Sequence, residues 1–153
     1  MGKFELYIPD KLSFQDYIAV VQTARAWADG YDLKDYDHLL ATLAPEVIVD
    51  YTIIVPSWGR KSLATQHLLG QPYFKSVQEN EIIVKWQQLA SHGRRENSVR
   101  DSSNKIGETS DGRSWMEHGF IKVDGQWKIA RITPSLSYQT GDFQRVRRLE
   151  GAP

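Results

Sequence analysis

The stretch WADGYDLKDYD, residues 27–37, joins two segments with helical periodicity and decides the fold. Before it, apolar residues from Phe14 onwards follow helical spacing, and Ser13 is a favourable N-cap with Asp16 three residues later. Gly30 is placed to end this first helix. The stretch holds more aromatic rings and carboxylates than a helix–helix junction needs, so we predict that it forms one side of a pocket.

After this stretch, a short second helix is predicted from about Asp35, ended by Pro45. A run rich in β-branched residues predicts a strand over 47–55, and a short helix is predicted over 60–69. Three further strands are predicted over 81–92, 113–123 and 126–133; a two-residue turn at Asp124-Gly125 joins the last two, and Pro134 ends the last one.

The order of elements, helices first and then an antiparallel meander, predicts an α+β fold. A curved antiparallel sheet wrapped around the N-terminal helices would form a cone with an internal pocket, and such pockets usually bind small molecules. The length of 153 residues favours one domain over 1–153, with an N-terminal arm at 1–11 and a C-terminal tail at 135–153.

The composition excludes several classes of function. Lys and Arg together number 19, as do Asp and Glu, so the chain lacks the positive charge typical of nucleic-acid binders. The basic run at 145–148 is either a solvated tail or an anion site. There is no cysteine, no apolar run long enough for a membrane span and no signal-peptide core, so we expect an intracellular, cytoplasmic protein without membrane or nucleic-acid partners.

The four histidines are the candidates for acid–base chemistry at neutral pH. His67 and His92 would form a proton-transfer pair if the fold brings them together, and otherwise each is structural. His38 lies on a highly charged helix and is predicted to be a solvated surface group. His118 either faces the pocket, with Met116 on the same strand face, or is structural.

Three further residues have both a structural and a functional interpretation. Asp32 is either a loop carboxylate or a group that orients a histidine by accepting its hydrogen bond. Tyr31 and Tyr51 are either core aromatics or donors that hold a water or polarise a carbonyl oxygen. The sequence has no His-Glu-x-x-His helix and no Gly-x-Gly-x-x-Gly loop, so neither a zinc site nor a nucleotide cofactor is favoured.

Several blocks of the sequence point together to one family. They are residues 12–17, 27–37, 43–45, 49–51, 65–70 and 123–128, together with Gln88-Leu89 and His92. In these blocks the chain resembles the scytalone dehydratases, fungal enzymes of naphthol-type pigment and polyketide pathways. That resemblance implies the cone-shaped α+β fold also seen in SnoaL-like polyketide cyclases and nuclear-transport-factor-like proteins.

The resemblance also implies roles for the matching residues. Tyr31 and Tyr51 correspond to the two tyrosines that address the substrate carbonyl through a bound water. Asp32 and His92 correspond to the family's carboxylate–histidine pair, and His67 to its second catalytic histidine.

On the same grounds, Ser114 corresponds to the strand serine that supports His67, and Trp27 to an aromatic residue that lines the pocket. The implied reaction is loss of water from a hydroxylated cyclic ketone with aromatisation, without a metal or an organic cofactor. A small polyketide-type substrate is the implied ligand. Because relatives with this fold are commonly oligomers, a homo-oligomer is expected.

Two departures from the family pattern affect the substrate. The family has a substrate-binding asparagine two residues after the strand serine, where this chain has Met116. The segment 52–66 is shorter than in scytalone dehydratase, so the pocket wall differs. The leading hypothesis is a dehydratase acting on a substrate other than scytalone. An isomerase or cyclase on a related intermediate is the second hypothesis, and a non-catalytic binding module is the third.

Overall fold

The computed structural model of the chain describes residues 2–50, 62–96 and 105–148. Within these residues it contains α1 (Phe14–Leu33), α2 (Tyr36–Thr42), β1 (Leu43–Val49), β2 (Leu63–Leu69), β3 (Tyr73–Val77), β4 (Glu81–Arg95), β5 (Ile106–Val123), β6 (Gln126–Gly141) and α3 (Phe143–Val146). The predicted α+β class is confirmed.

Helix α1 begins where the sequence predicted but ends later. The Ser13 hydroxyl accepts a hydrogen bond from the Asp16 backbone N–H, as an N-cap does. The helix continues through Gly30, and its C-cap is Lys34 in the left-handed conformation. The prediction that Gly30 ends the helix was therefore wrong. A Cβ at this position would lie 2.8 Å from the backbone nitrogen of Leu39, so the glycine allows α2 to approach α1 closely.

Helix α2 begins about where it was predicted, and the Asp35 side chain caps it by accepting a hydrogen bond from the backbone of His38. It ends at Thr42, so Pro45 lies inside β1 and does not stop the helix as predicted. Pro45 is tolerated there because the parallel pairing of β1 with β6 is irregular between Leu43 and Ile48. The rest of the predicted strand 47–55 extends beyond the described residues.

The sheet has the strand order β1-β6-β5-β4-β2, and β3 also pairs with β4. The helix predicted over 60–69 was wrong where the structure describes it, because residues 63–69 form β2. That strand pairs antiparallel with β4 from Leu63–Arg94 to Leu69–Gln88. Sequence reasoning also missed β3. Strand pairing outweighed local propensity in both segments, as tertiary contacts often do.

The turn between β5 and β6 forms at the two residues where the sequence predicted it. Asp124 and Gly125 both have positive φ, at 49° and 75°, as a two-residue turn of the primed type requires. Strand β6 continues past Pro134, which was predicted to end it. Among the described residues, β1 pairs with β6 only as far as Ile132. Pro134 itself lies within the pairing of β6 with β5, opposite Met116.

The core lies between α1 and one face of the sheet. Helix α1 packs against both β2 and β6, and so it crosses the sheet face that β4 and β5 form between them. Even-numbered residues from 82 to 92 of β4 and from 116 to 120 of β5 point to this inner face and are buried. The side chains that meet in the core include Val20, Ala24, Trp27, Val84, Trp86, Met116 and Phe120. No helix among the described residues is long and apolar enough to span a membrane.

The C-terminal basic run folds back against the sheet, so the prediction of a solvated tail was wrong. Arg145 and Arg148 pair with Glu108 of β5, and the Arg94 guanidinium donates to the backbone carbonyls of Val146 and Arg148. Val146 itself is fully buried. These contacts fix the short helix α3 beside the ends of β4 and β5.

Candidate active site

Asp32 and His67 form a tightly bonded pair between the last turn of α1 and the middle of β2. One carboxylate oxygen of Asp32 lies 2.7 Å from Nδ1 of His67, and the other accepts the backbone N–H of His67, also at 2.7 Å. The backbone N–H donates, and because a carboxylate oxygen only accepts, Asp32 is the acceptor from the ring as well. The Nδ1–H tautomer of His67 is therefore favoured, which leaves Nε2 as its proton acceptor.

His92 lies beside His67, so the structure brings the two predicted histidines together. Their ring centroids are 6.0 Å apart and the rings are nearly perpendicular. Burial lowers the pKa of His92 to about 4, helped by the nearby His67 and Lys34, while a hydrogen bond to the Ser110 backbone and the Asp32 carboxylate oppose the shift. His92 is therefore neutral at pH 7.

Tyr31 and Trp27 surround His67 from α1. The ring of Tyr31 lies 5.5 Å from that of His67, and the ring of Trp27 lies 5.9 Å away. Burial raises the pKa of Tyr31 to about 12, so its hydroxyl stays protonated at neutral pH and can donate a hydrogen bond. The predicted positions of Trp27 and Tyr31 next to the histidines agree with this geometry.

Lys34 connects the end of α1 to β2, a contact that sequence reasoning missed. Its Nζ donates to the hydroxyl of Thr65 at 2.6 Å and to the backbone carbonyl of Tyr31 at 3.1 Å. Thr65 precedes His67 by two residues and pairs across the strands with His92. The ammonium group therefore lies against the strand segment that carries the pair. The signal was present in the sequence, because Lys34 belongs to the stretch 27–37.

Phe143 of α3 covers His92 from the C-terminal side. Its ring lies 4.8 Å from that of His92, in an edge-to-face arrangement. The last twenty residues of the sequence show no clear periodicity, so no local signal predicted this contact. Only the pairing of α3 with Glu108 and Arg94 brings the ring to the site.

His118 also contacts the ring of Trp27, at 4.8 Å between ring centroids. It is fully buried, and burial lowers its pKa to about 3. Neither ring nitrogen has a hydrogen-bond partner in the described structure. Met116, two residues earlier on β5, is also fully buried. Both side chains lie on the same buried face of β5, as the alternation along the strand predicted.

The comparisons with known proteins identify the family. A family model described as scytalone dehydratase matches residues 11–59 and 55–151. The chain is 50% identical over 169 residues to the dehydratase CfoI of Aspergillus candidus, with 97% of this chain and 98% of that protein covered. The chain belongs to the scytalone dehydratase family.

Further relatives agree with this assignment. The scytalone dehydratase Arp1 of Aspergillus fumigatus is 31% identical over 156 residues, covering 90% of this chain and 91% of that protein. The solved structure of the Kfla4162 protein from Kribbella flavida superposes with a TM-score of 0.69 at 12% identity, covering 88% of this chain and 98% of that one. That identity shows a shared fold alone. The resemblance to the scytalone dehydratase family is confirmed.

The geometry changes one of the roles that the resemblance to scytalone dehydratases implied, that of Asp32. Asp32 was matched to a pair with His92, but its hydrogen bonds go to His67. Ser114 was matched to a serine that supports His67; the backbone of His67 pairs with Ala90 of β4, and the role of Ser114 stays a prediction. Ser114 lies one strand further, opposite Gln88. Local sequence could not distinguish these pairings, because they depend on the register of three strands.

The remaining site predictions have mixed outcomes. Tyr51, matched to the second tyrosine of scytalone dehydratases, lies outside the described residues. His38 is half-buried on α2, apart from the histidine pair. Among the described residues, no group of three or more His, Cys, Asp or Glu side chains is arranged to hold a metal ion.

Proposed function

We propose that this protein is a hydro-lyase that removes water from a hydroxylated cyclic ketone of a fungal polyketide pathway, with His67 as the proton-transfer group. Membership of the scytalone dehydratase family supports the reaction class. The observation that carries the proposal is the pair of 2.7 Å bonds from Asp32 to the ring and backbone of His67. Such bonds hold an imidazole in one tautomer and one orientation.

The reaction transfers one proton from the carbon next to the carbonyl to the hydroxyl group on the β carbon. His67 Nε2 takes a proton from the carbon next to the carbonyl, and the resulting imidazolium is stabilised by the Asp32 carboxylate. His67 then returns the proton to the hydroxyl group on the β carbon, which leaves as water. A C–H and a C–O bond break, one C=C bond forms, and His67 returns to its starting state.

The neighbouring groups assist this step without changing charge. The Tyr31 hydroxyl donates a hydrogen bond to the carbonyl oxygen, where negative charge develops as the proton leaves. His92 remains a neutral imidazole at pH 7 and orients the substrate or a bound water. Tyr51 would supply a second hydroxyl if it takes the family role.

The test is turnover of a panel of hydroxylated naphthalenone- and anthrone-type ketones, followed by product mass in the presence of a metal chelator. We expect loss of one water with the native protein, and a rate about 10²–10⁴-fold lower with His67→Gln. His38→Gln, on the outer helix α2, is the matched control and should keep the native rate. Equal rates in the native and His67→Gln proteins would refute the role of His67.

The same panel separates the competing hypotheses. A product of unchanged mass and altered ring structure would identify an isomerase or cyclase, because enolisation uses the same proton abstraction. Ligand binding without any change in mass or ring structure would identify a binding module.

A further inference from the structure

The inner face of the sheet carries several buried polar atoms that lack partners. Trp86 Nε1, the Gln88 side-chain oxygen, His92 Nδ1 and both ring nitrogens of His118 make no hydrogen bond within the described structure. The four side chains are between 0% and 8% exposed. Three of them come from β4 and one from β5, and all point to the face that α1 covers.

Trp86, Gln88 and His118 surround Met116 closely. Trp86 is the direct cross-strand partner of Met116, and Gln88 is its diagonal neighbour. His118 follows Met116 by two residues on the same face of β5, and its ring centroid lies 6.4 Å from that of Trp86. Direct cross-strand neighbours lie about 5 Å apart and diagonal ones about 7–8 Å apart. The three polar groups therefore lie within the span of one fused-ring molecule.

Leaving these atoms without partners is energetically unfavourable. A buried donor or acceptor without a hydrogen bond costs about 1–3 kcal/mol, and more than nine in ten buried polar groups in native proteins are bonded. Four such atoms on Trp86, Gln88 and His118 occupy one small patch. The same patch would be more stable with apolar side chains, which indicates that these groups have partners in the working protein.

We propose that Trp86, Gln88 and His118 form a recognition subsite for an uncharged, oxygen-substituted ring of the substrate, next to the Asp32–His67 pair. This inference rests on the proposed function, because it assigns the same ligand to the far end of the same site. Both ends contact the same indole, because the ring centroid of Trp27 lies 5.9 Å from that of His67 and 4.8 Å from that of His118.

The chemistry of the three groups defines the ligand class. The indole N–H of Trp86 only donates, and the Gln88 amide oxygen only accepts. Neutral His118 offers one donor and one acceptor. This balanced set matches hydroxyl and carbonyl groups on a ring. No Lys or Arg shares this face over residues 82–90 of β4 or 112–120 of β5, so a carboxylate or phosphate would find no counter-charge.

The subsite also accounts for the apolar residue at position 116. Where scytalone dehydratases carry an asparagine, Met116 offers no strong hydrogen bond. Its neighbours Trp86, Gln88 and His118 supply hydrogen-bonding groups around it. In this subsite the hydrogen bonds to the substrate come from the neighbours of position 116 and not from position 116 itself. The oxygen atoms of the substrate are therefore expected to lie opposite these neighbours.

The test measures binding by calorimetry, without turnover. The probes are 1-tetralone, its 5-, 6- and 7-hydroxy derivatives and 6-carboxy-1-tetralone. None of them has a hydroxyl β to the ketone, so none can lose water. We expect at least one hydroxylated probe to bind the native protein about 10-fold or more tightly than 1-tetralone, and the carboxylate to bind more weakly than both.

Two variants and a matched control locate the effect. Gln88→Leu and Trp86→Phe should bring the affinity ratio between the hydroxylated probe and 1-tetralone close to one, with the affinity for 1-tetralone within about 2-fold of native. Gln87→Leu changes the adjacent glutamine, which is exposed on the opposite face, and should keep the native ratio.

The proposal is overturned if the native protein binds all neutral probes equally, which would mean that the polar atoms contact only water. It is also overturned if the ratio persists in both variants, or if the carboxylate binds tightest. The probe series on the native protein gives an answer even if a variant fails to fold. Failure of the dehydratase proposal would appear separately, as normal probe selectivity without turnover.

Discussion

Two histidines contact the ring of Trp27, and their surroundings are opposite. His67 is bonded through its ring and its backbone to Asp32, whereas His118 has no partner for either ring nitrogen in the described structure. The first environment suits a group that gains and loses a proton, because the carboxylate stabilises the charged form. The second suits a group that stays neutral and recognises a ligand. Hydrogen-bond partners, not residue type, therefore separate the two roles.

The largest expected effect comes from removing the negative charge of Asp32 next to His67. Asp32→Asn keeps the size of the side chain but allows the wrong tautomer of His67, as loss of an orienting carboxylate does in catalytic triads. We expect kcat to fall by about 10²–10⁴-fold, with KM nearly unchanged.

Asp29→Asn provides the control for this change. Asp29 lies on the same helix and forms an exposed i,i+4 pair with Arg25. Its loss should leave kcat within about 2-fold of native. Similar losses of kcat in both variants would show that the Asp32 effect comes from the helix and not from His67.

The second prediction concerns acid stability at the His118 end. The folded-state pKa of His118 lies far below its usual value of 6.5, so the unfolded chain binds the proton first as pH falls. The contribution of neutral His118 to the free energy of unfolding is fully present above about pH 6.5 and is lost as the pH falls toward 3. On acidification, the unfolding free energy of His118→Phe should therefore decrease by about 2–4 kcal/mol less than that of the native protein.

The measurement is denaturant unfolding of the native and His118→Phe proteins at pH 7.5 and pH 4.5. The difference in unfolding free energy between the two pH values should be smaller in the variant. Rings of Trp27, Trp86 and Phe120 surround His118, and burial is the cause of its pKa shift. An equal pH dependence in both proteins would contradict the neutral, buried state of His118.

The third prediction concerns Lys34, which acts on the His67 end as a positioning residue. Lys34→Gly relieves a left-handed backbone at φ 59° but removes the ammonium that binds Thr65. We expect kcat to fall by about 10-fold while stability changes little, since the two effects on stability oppose each other.

The pH profile separates positioning by Lys34 from a purely structural role. The Lys34 ammonium contributes to the lowered pKa of His92, so its removal should raise that pKa. We expect the acid limb of kcat/KM, or the His92 ring signals in NMR, to shift to higher pH. Lys34→Arg keeps the charge and should restore most of the native profile. An unchanged profile in Lys34→Gly would remove Lys34 from the site.

The smallest effect is expected at the C-terminal helix that carries Phe143. Glu108 is fixed by Arg145 and Arg148, and the bond to Arg148 is the main reason that its pKa is lowered. Glu108→Gln should raise KM about 2–3-fold at low salt, because exposed ion pairs contribute little individually. The effect should disappear at high ionic strength.

A truncation sharpens the same prediction. Residues 135–141, which were predicted to belong to the C-terminal tail, form the end of β6. A chain that ended at Pro134 would lose part of this strand, so the truncated chain ends at Gly141. Loss of α3 removes Phe143 from His92 and should raise KM more than Glu108→Gln does. Glu79→Gln, in the turn between β3 and β4, is the exposed control. Unchanged kinetics in the truncated protein would show that α3 has no part in substrate binding.

The sequence by itself determined the elements that depend on local contacts. The Ser13 cap, the start of α2 near Asp35 and the Asp124-Gly125 turn each require only neighbouring residues, and all three were predicted correctly. The α+β order and the family also followed from the sequence, the latter from blocks such as residues 27–37 and 65–70. The sequence also identified His67 and His92 as a candidate pair, although their meeting in space was not predictable.

Only the tertiary structure decided which residues become partners. Asp32 binds His67 and not His92 because β2 is a strand paired with β4, a long-range contact that overrode the helix predicted there. Gly30 serves the approach of α2 and does not end α1. The unpartnered groups around Met116 are visible only once β4 and β5 are in register. The physical reason is that strand register and helix docking depend on contacts between distant residues, which no local pattern encodes.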